Sequence, residues 1–345
     1  MTDSGVIRSR NHRTALHALS AVLLALGAAE ALGASGPPGR AHQESPAPAV
    51  RPADEMPLDR VTPDARIAIA LAPGAVATDD AVWVPTANGV ARIDAKTNAA
   101  ASAVALPAAP CANLIVAFGS LWAPLCTSGT VARMDMKTQA VTTPLTLRLA
   151  DAAGQFATAV GSVWVASEAK GVVSRVDPDT NDVVAEVFVA REPVAVVGGD
   201  DALWITSTAG GVVTRVNPHT NEVVETVKVG PAPGRAVVGE GAVWTLNRGD
   251  GSVSRIDPKT NTVVATIAVA GAGAGEIAAG AGAVWVSAPG LPLARIDPTT
   301  NRATQRFTGE GGGAVLVAHG SVWVAAGPAV TWRVDPALVA AMRPE

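Results

Sequence analysis

A unit of about 40 residues occurs seven times in the 345-residue chain, each copy alternates apolar and polar residues as strands do, and an orphan strand heads the series. Together these predict an all-β protein: a seven-bladed β-propeller with four-stranded blades, its N-terminal strand closing the last blade. Each unit carries a small residue, then Val or Leu, then Trp, at Trp83, Trp122, Trp164, Trp204, Trp244, Trp285 and Trp323, in steps of 39, 42, 40, 40, 41 and 38 residues. An arginine follows each Trp after nine to eleven residues: Arg92, Arg133, Arg175, Arg215, Arg255, Arg295 and Arg333. Two residues further on stands Asp94, Asp135, Asp177, Asn217, Asp257, Asp297 or Asp335.

The fourth copy gives the order of strands within a blade. PVAVVGG (193–199) reads as the innermost strand, ALWITS (202–207) as the second, GVVTRV (211–216) as the third and VVETVKV (223–229) as the outermost. Glycines and an Asp-Pro-x-Thr-Asn phrase punctuate them, as hairpin turns require. A helical reading fails because β-branched residues dominate and turn signals come about every eight to twelve residues.

The seventh copy stops after its third strand, at Arg333 to Pro336, whereas the series opens with ARIAIALAPG (65–74), which reads like the fourth strand VVATIAVAG (263–271). Arg66 to Leu71 is therefore expected to supply the outer strand of blade 7, so that no open edge remains in the ring. The propeller then spans 66–336. A signal peptide (1–31) and a Pro-rich disordered tether (32–65) precede it, and a short tail (337–345) that could form one helical turn follows.

The phrases RVDPDTN (Arg175 to Asn181), RIDPKTN (Arg255 to Asn261) and RIDPTTN (Arg295 to Asn301) resemble YVTN-type repeats, which are WD40-like. With the adjoining Ala-Val-Trp and Ser-Val-Trp phrases, the chain is similar over 66–336 to virginiamycin B lyase-like propellers. That resemblance implies the propeller fold. In its lyase form it also implies a His/Glu acid–base pair and a divalent metal on the channel face.

Residues that recur in every blade read as structural, since a catalytic centre would break the sevenfold symmetry. Each Trp is expected to lie between blades with a large apolar face buried. The Asp of each turn is expected to accept backbone N–H bonds, with the Asn in the left-handed conformation.

Function belongs where the symmetry breaks. The residue nine positions before each repeat Trp should open the innermost strand at the channel mouth, and there stand Gly74, Asn113, Gln155, Ala195, Arg235, Glu276 and Ala314. Four are polar, and Arg235 and Glu276 fall on adjacent blades. Nearby loops add Glu168, Lys170, Arg191, Glu192, Asn247, Arg248 and Asp250. The candidate ligand-binding set on the channel face is Asn113, Gln155, Arg191, Arg235, Asn247, Arg248 and Glu276. The same cluster also reads as a wet channel mouth whose Arg235–Glu276 pair satisfies itself.

No catalytic or metal-ligating residue is assigned. Of the histidines after position 31, His42 lies in the tether, while His219 and His319 belong to hairpins of the opposite face. Where the lyase histidine would be sought, this chain has Arg235, Glu276 or a small residue. The expected function is a non-catalytic binding or interaction module, without a cofactor, that recognises a protein, peptide or small ligand on the channel face. The alternative is a metal-dependent lyase or hydrolase resembling virginiamycin B lyase or gluconolactonase-type propellers, for which Glu276, Asn113 and Gln155 offer oxygen donors.

Composition narrows the partners. A net charge of −4 and 3% aromatics offer neither an electrostatic footprint for nucleic acid or membrane nor stacking platforms. The basic start (Arg8, Arg10, Arg13) and the uncharged run from Thr14 to Ala29 read as a secretory signal. A periplasmic or secreted monomer, free of the membrane after cleavage, is expected. Cys111 and Cys126, the only cysteines, are expected to form a structural disulfide there.

Overall fold

The computed structural model of the protein describes residues 53–142, 145–146, 156–199, 201–269, 271, 273 and 275–344. The expected signal peptide, the tether as far as residue 52 and Gln155 lie outside the described residues.

Seven sheets form the ring. Blade 4 consists of Pro193–Gly199, Ala202–Ser207, Val212–Asn217 and Glu222–Lys228, antiparallel and in sequence order from the channel outward, within one residue of the reading from sequence. The second strand is buried throughout, as are Ser120–Leu125, Ala242–Asn247 and Ala283–Ala288, because neighbouring blades cover both of its faces. Two-sided burial explains why these strands read as continuous apolar runs instead of alternating. The outermost strand Glu222–Lys228 buries only Val227.

The ring closes as expected, with a shorter seam. Ala65–Ile67 pairs antiparallel with Val330–Val334, joining Ala65 to Arg333 and Ile67 to Thr331. Beyond Ile67 the ladder ends, and the Thr331 hydroxyl donates to the Ile69 carbonyl at 2.6 Å instead.

Residues 53–65 are not a disordered tether, which corrects the expectation. Asp54–Pro57 adds a fifth, parallel strand to the outer edge of blade 6, pairing with Arg302–Thr308. A 3-10 turn at Leu58–Arg60 follows, and Met56, Leu58 and Val61 are at most 4% exposed in one core with Phe307, Trp332 and Val339. Proline content misled here. Pro57 ends the added strand and Pro63 follows the turn, so neither removes a ladder hydrogen bond that the segment needs. The tail also packs: Pro336–Ala341 is a helix capped by the Asp335 carboxylate, with Val339 buried.

Cys111 and Cys126 form the disulfide, with Cα atoms 5.7 Å apart. In the chain-entropy view, a loop of 15 residues closed this way contributes about 3 kcal/mol.

The recurring residues form one connected device. All seven repeat Trp side chains are at most 3% exposed, and each sits directly across from its arginine in the strand register. Five arginines lie over the indole, at 4.5 Å (Arg133), 5.5 Å (Arg175), 5.3 Å (Arg215), 5.1 Å (Arg255) and 5.3 Å (Arg333). The same five guanidinium groups then cross to the next blade. There Nη1 donates to the asparagine side chain of the turn, Asn181, Asn221, Asn261, Asn301 or, across the ring closure, Asn98, at 2.6–3.2 Å. It also donates to a backbone carbonyl of that turn, that of Pro178, Pro218, Pro258, Pro298 or Ala95. These asparagines sit at φ between 55° and 63°, the left-handed conformation the turn requires. The turn aspartates behave as read from sequence. Asp94 Oδ1 accepts from the Thr97 amide, the Thr97 hydroxyl and the Lys96 amide, which together hold its carboxyl down at about 2.

Two predictions follow from this packing. Removing residues 1–62 is expected to lower stability by about 5 kcal/mol relative to removing 1–52, because only the larger deletion exposes the pockets of Met56, Leu58 and Val61. Equal urea midpoints for the two truncations would contradict the packed strap. The second concerns Nε of the clamping arginines. Ser120, Ser162 and Ser321 accept it from Arg133, Arg175 and Arg333, whereas Ala202 and Ala242 stand at that position and leave Nε of Arg215 and Arg255 buried without a partner. Ala202→Ser and Ala242→Ser should each stabilise by about 1 kcal/mol, read as a raised melting temperature; a fall would show that the hydroxyl does not reach Nε.

Candidate functional site

The first strands of adjacent blades lie side by side around the channel. Blade 5 opens with Pro233–Gly239 and blade 6 with Glu276–Gly280. A register shift between Pro233 and Ala236 bulges the first of these at Arg235. The bulge is anchored from blade 4, where the Thr206 hydroxyl accepts from the Ala195 amide at 2.9 Å and donates to the Gly234 carbonyl at 2.7 Å. Arg235 Nε meets Glu276 Oε1 at 2.8 Å, with side chains 15% and 14% exposed. The pairing of neighbouring blades expected from sequence is therefore present.

Arg248 completes the group. It leaves blade 5 just after the second strand, Ala242–Asn247, and its side chain crosses directly over Gly234, where a Cβ would fall 2.4 Å from its Nε. Gly234 is thus what lets Arg248 lie along the channel mouth. The Arg248 side chain is exposed, and among the described residues no hydrogen bond or close ion pair engages it. Partial desolvation, then the like charge of Arg235, lowers its pKa against the pull of Glu276. Burial pushes the Glu276 carboxyl above its ordinary value, while Arg235 and Arg248 pull it down.

The other expected ligand contacts are not gathered there. Asn113 is spent on the scaffold: Nδ2 donates to the Phe156 carbonyl and Oδ1 accepts the Phe156 amide, both at 2.9 Å, stitching blade 2 to blade 3 as a strand would. Asn247 is 0% exposed and points into its blade, its Nδ2 donating to the Ser252 and Ser254 hydroxyls at 2.9 Å. The Asn247 side chain is thus enclosed within blade 5 and does not open on the channel mouth. Arg191 is exposed between blades 3 and 4. Glu168 pairs with Lys170 at 2.6 Å, and Asp250 is occupied by the amide and hydroxyl of Ser252. Counting back from Trp falls within two residues of the start of the first strand in the six blades other than that of Gln155, which lies outside the described residues, but it could not see which amides bridge strands.

The residues at the mouth do not fit a divalent metal. Glu276 is the one carboxylate in the group and is engaged by Arg235, and among the described residues no three His, Cys, Asp or Glu side chains gather closely enough to hold an ion. His219 and His319 lie in hairpins after a third and a first strand, on the face away from this mouth.

Arg235→Met tests the pair. Without its partner the buried Glu276 carboxyl rises further above 4.5, so its contribution is fully present below that value and is lost as pH rises through the raised folded value. Urea unfolding is expected to show a loss of about 3 kcal/mol near pH ~8 that shrinks toward pH ~5, and Glu276→Gln on top should restore most of it. A loss independent of pH would contradict a buried carboxylate held by Arg235.

No protein-family model matches the chain, and no curated protein matches it. Among solved structures, virginiamycin B lyase from Staphylococcus aureus superposes with a TM-score of 0.66 at 17% identity, covering 78% of this chain and 97% of that one. A streptogramin B lyase gives a TM-score of 0.64 at 20% identity, covering 77% and 93%. BamB from Moraxella catarrhalis gives 0.55 at 16% identity, covering 77% and 83%. The chain shares the seven-bladed propeller fold of the virginiamycin and streptogramin B lyases.

Proposed function

We propose that the protein is an extracytoplasmic, non-catalytic binding module whose channel face recognises a protein, peptide or small ligand through a hydrogen-bond acceptor, a carboxylate foremost. The observation that carries this reading is Arg248: an exposed guanidinium with no close partner among the described residues, laid over Gly234 beside the largely buried Arg235–Glu276 pair. A planar fork of N–H donors held at a rigid rim suits bidentate capture of a carboxylate. Glu276 keeps the local charge from becoming strongly positive, which favours one acidic group over a polyanion. The Cys111–Cys126 disulfide supports an oxidising location, periplasmic or secreted. Among the described residues no helix is long and apolar enough to cross a membrane.

The test is a panel of peptides with free or amidated C-termini, read by fluorescence anisotropy against the protein and Arg248→Gln. Free-acid peptides are expected to bind better than their amides, and Arg248→Gln to weaken them about tenfold or more without changing the melting temperature. Equal binding by the variant would remove the channel face from recognition. A divalent-metal thermal shift abolished by Glu276→Gln would favour the metal-dependent lyase or hydrolase instead.

A further inference from the structure

A second polar cavity lies away from the channel, at the junction of blades 6 and 7. Its volume is about 480 Å³, within the range of small-molecule sites. Arg295, Arg302 and Arg343 line it together with Asp54, Asp297 and Thr304. Asp297 is held by its own turn, where Oδ1 accepts from the Thr299 amide and hydroxyl and the Thr300 amide.

The cavity exists because one clamp has nothing to grip. Arg295 is the blade 6 counterpart of Arg133, Arg175, Arg215, Arg255 and Arg333, each of which donates to two oxygens of the next blade's turn, a backbone carbonyl and an asparagine side chain. After the third strand of blade 7 the chain makes no such turn. The helix Pro336–Ala341 takes that place, pinned by Gln305 Nε2 on the Ala340 carbonyl. The side-chain hydrogen bond of Arg295 among the described residues runs from Nη1 to the Thr304 hydroxyl at 2.9 Å, inside its own blade. Arg302 is exposed and among the described residues no hydrogen bond engages its side chain, and Arg343 donates from Nη1 to the Ala340 and Met342 carbonyls at the helix end.

We infer that this cavity binds a small molecule through an oxyanion, carboxylate or phosphate, whose two oxygens take the place of the turn oxygens that Arg295 lacks. Three arginines against two aspartates, one of them committed to its turn, favour an anion over a cation. The guanidinium fork matches two oxygens of one group. The site is separate from the channel face, so it stands or falls without the function proposed there.

Isothermal calorimetry of the full chain at low ionic strength tests it, with inorganic phosphate and citrate as probes and sodium chloride at matched ionic strength as the control. In an Arg248→Gln background, which takes the channel face out of carboxylate binding, saturable binding of either probe is expected and is at least about tenfold weaker when Arg295→Gln is added; phosphate binding alone marks a phosphate-bearing ligand and citrate binding alone a carboxylate. If Arg295→Gln melts early, Arg302→Gln decides by the same criterion, because its side chain is exposed and makes no hydrogen bond among the described residues. No saturable binding of either probe in that background, or full binding by the deciding variant, would overturn the assignment.

Discussion

An arginine that leaves its own blade to hold the next is the interaction on which this ring depends. Apolar packing between blades is non-directional and would tolerate sliding or a different number of blades. The guanidinium adds direction: its face lies over a Trp of its own blade, and its Nη1 hydrogens end on a carbonyl and an amide oxygen of the neighbour. Stacking of this kind is worth about 0.5–2 kcal/mol, and a hydrogen bond to a charged group about 1.5–3 kcal/mol. The left-handed asparagine is therefore more than a turn former. Its backbone conformation makes the hairpin, and its side chain receives the clamp. Arg333 gripping Ala95 and Asn98 extends the device across the closure, where the chain itself is not continuous.

Two junctions lack a receiving asparagine, and each shows what replaces it. Between blades 1 and 2 the left-handed position holds Gln139, and Arg92 turns back to Asp80 at 2.8 Å and Asp94 at 3.3 Å. Between blades 6 and 7 the receiving turn is missing altogether, and an apolar strap supplies the cohesion. Trp332 stands where the other blades carry Ala91, Ala132, Ser174, Thr214, Ser254 or Ala294. That large side chain is accommodated because Met56, Leu58 and Val61 pack in the same core. Directional bonding is thus exchanged for buried area at the junction where the strap at 54–61 meets the C-terminal helix.

The fold was legible because its period is carried by residues that cannot be exchanged freely. A buried Trp, the arginine over it and a left-handed Asn each need a specific side chain, so they recur at fixed spacing. The order of strands in blade 4 and the closing strand followed from the same regularity. What the sequence concealed were features that occur once. The strap at 54–61 has no repeat to announce it and is rich in residues that elsewhere mark linkers. At the channel mouth, counting back from Trp found Arg235 and Glu276 but ranked Asn113 and Asn247 with them. An amide that bridges two strands and one that awaits a ligand have the same composition, and only burial and hydrogen-bond partners separate them. The cavity at Arg295 was invisible for a related reason: the arginine is in register, and only the absence of the neighbouring turn makes it different.

The two faces of the ring are therefore under unequal constraint. Every repeated clamp, capped aspartate and indole hydrogen bond lies at the hairpins joining first to second and third to fourth strands, where a substitution would be felt by two blades. Among the described residues, loops joining second to third and fourth to first strands carry no side-chain bond that recurs in every blade, so their residues are free to differ from blade to blade. Arg235, Arg248 and Glu276 occupy that permissive face, yet they are not loosely held, because the Thr206 hydroxyl fixes the Gly234 carbonyl and with it the bulge presenting Arg235. A buried carboxylate raised by desolvation beside two arginines is an expensive arrangement for a surface that needs only to be wet. Ala195 and Ala314, at the equivalent positions of blades 4 and 7, are buried and uncharged, so the fold itself does not require charge there. Charge is thus concentrated at one junction of a ring whose other openings are uncharged, and it is there that the blades depart most from their repeat.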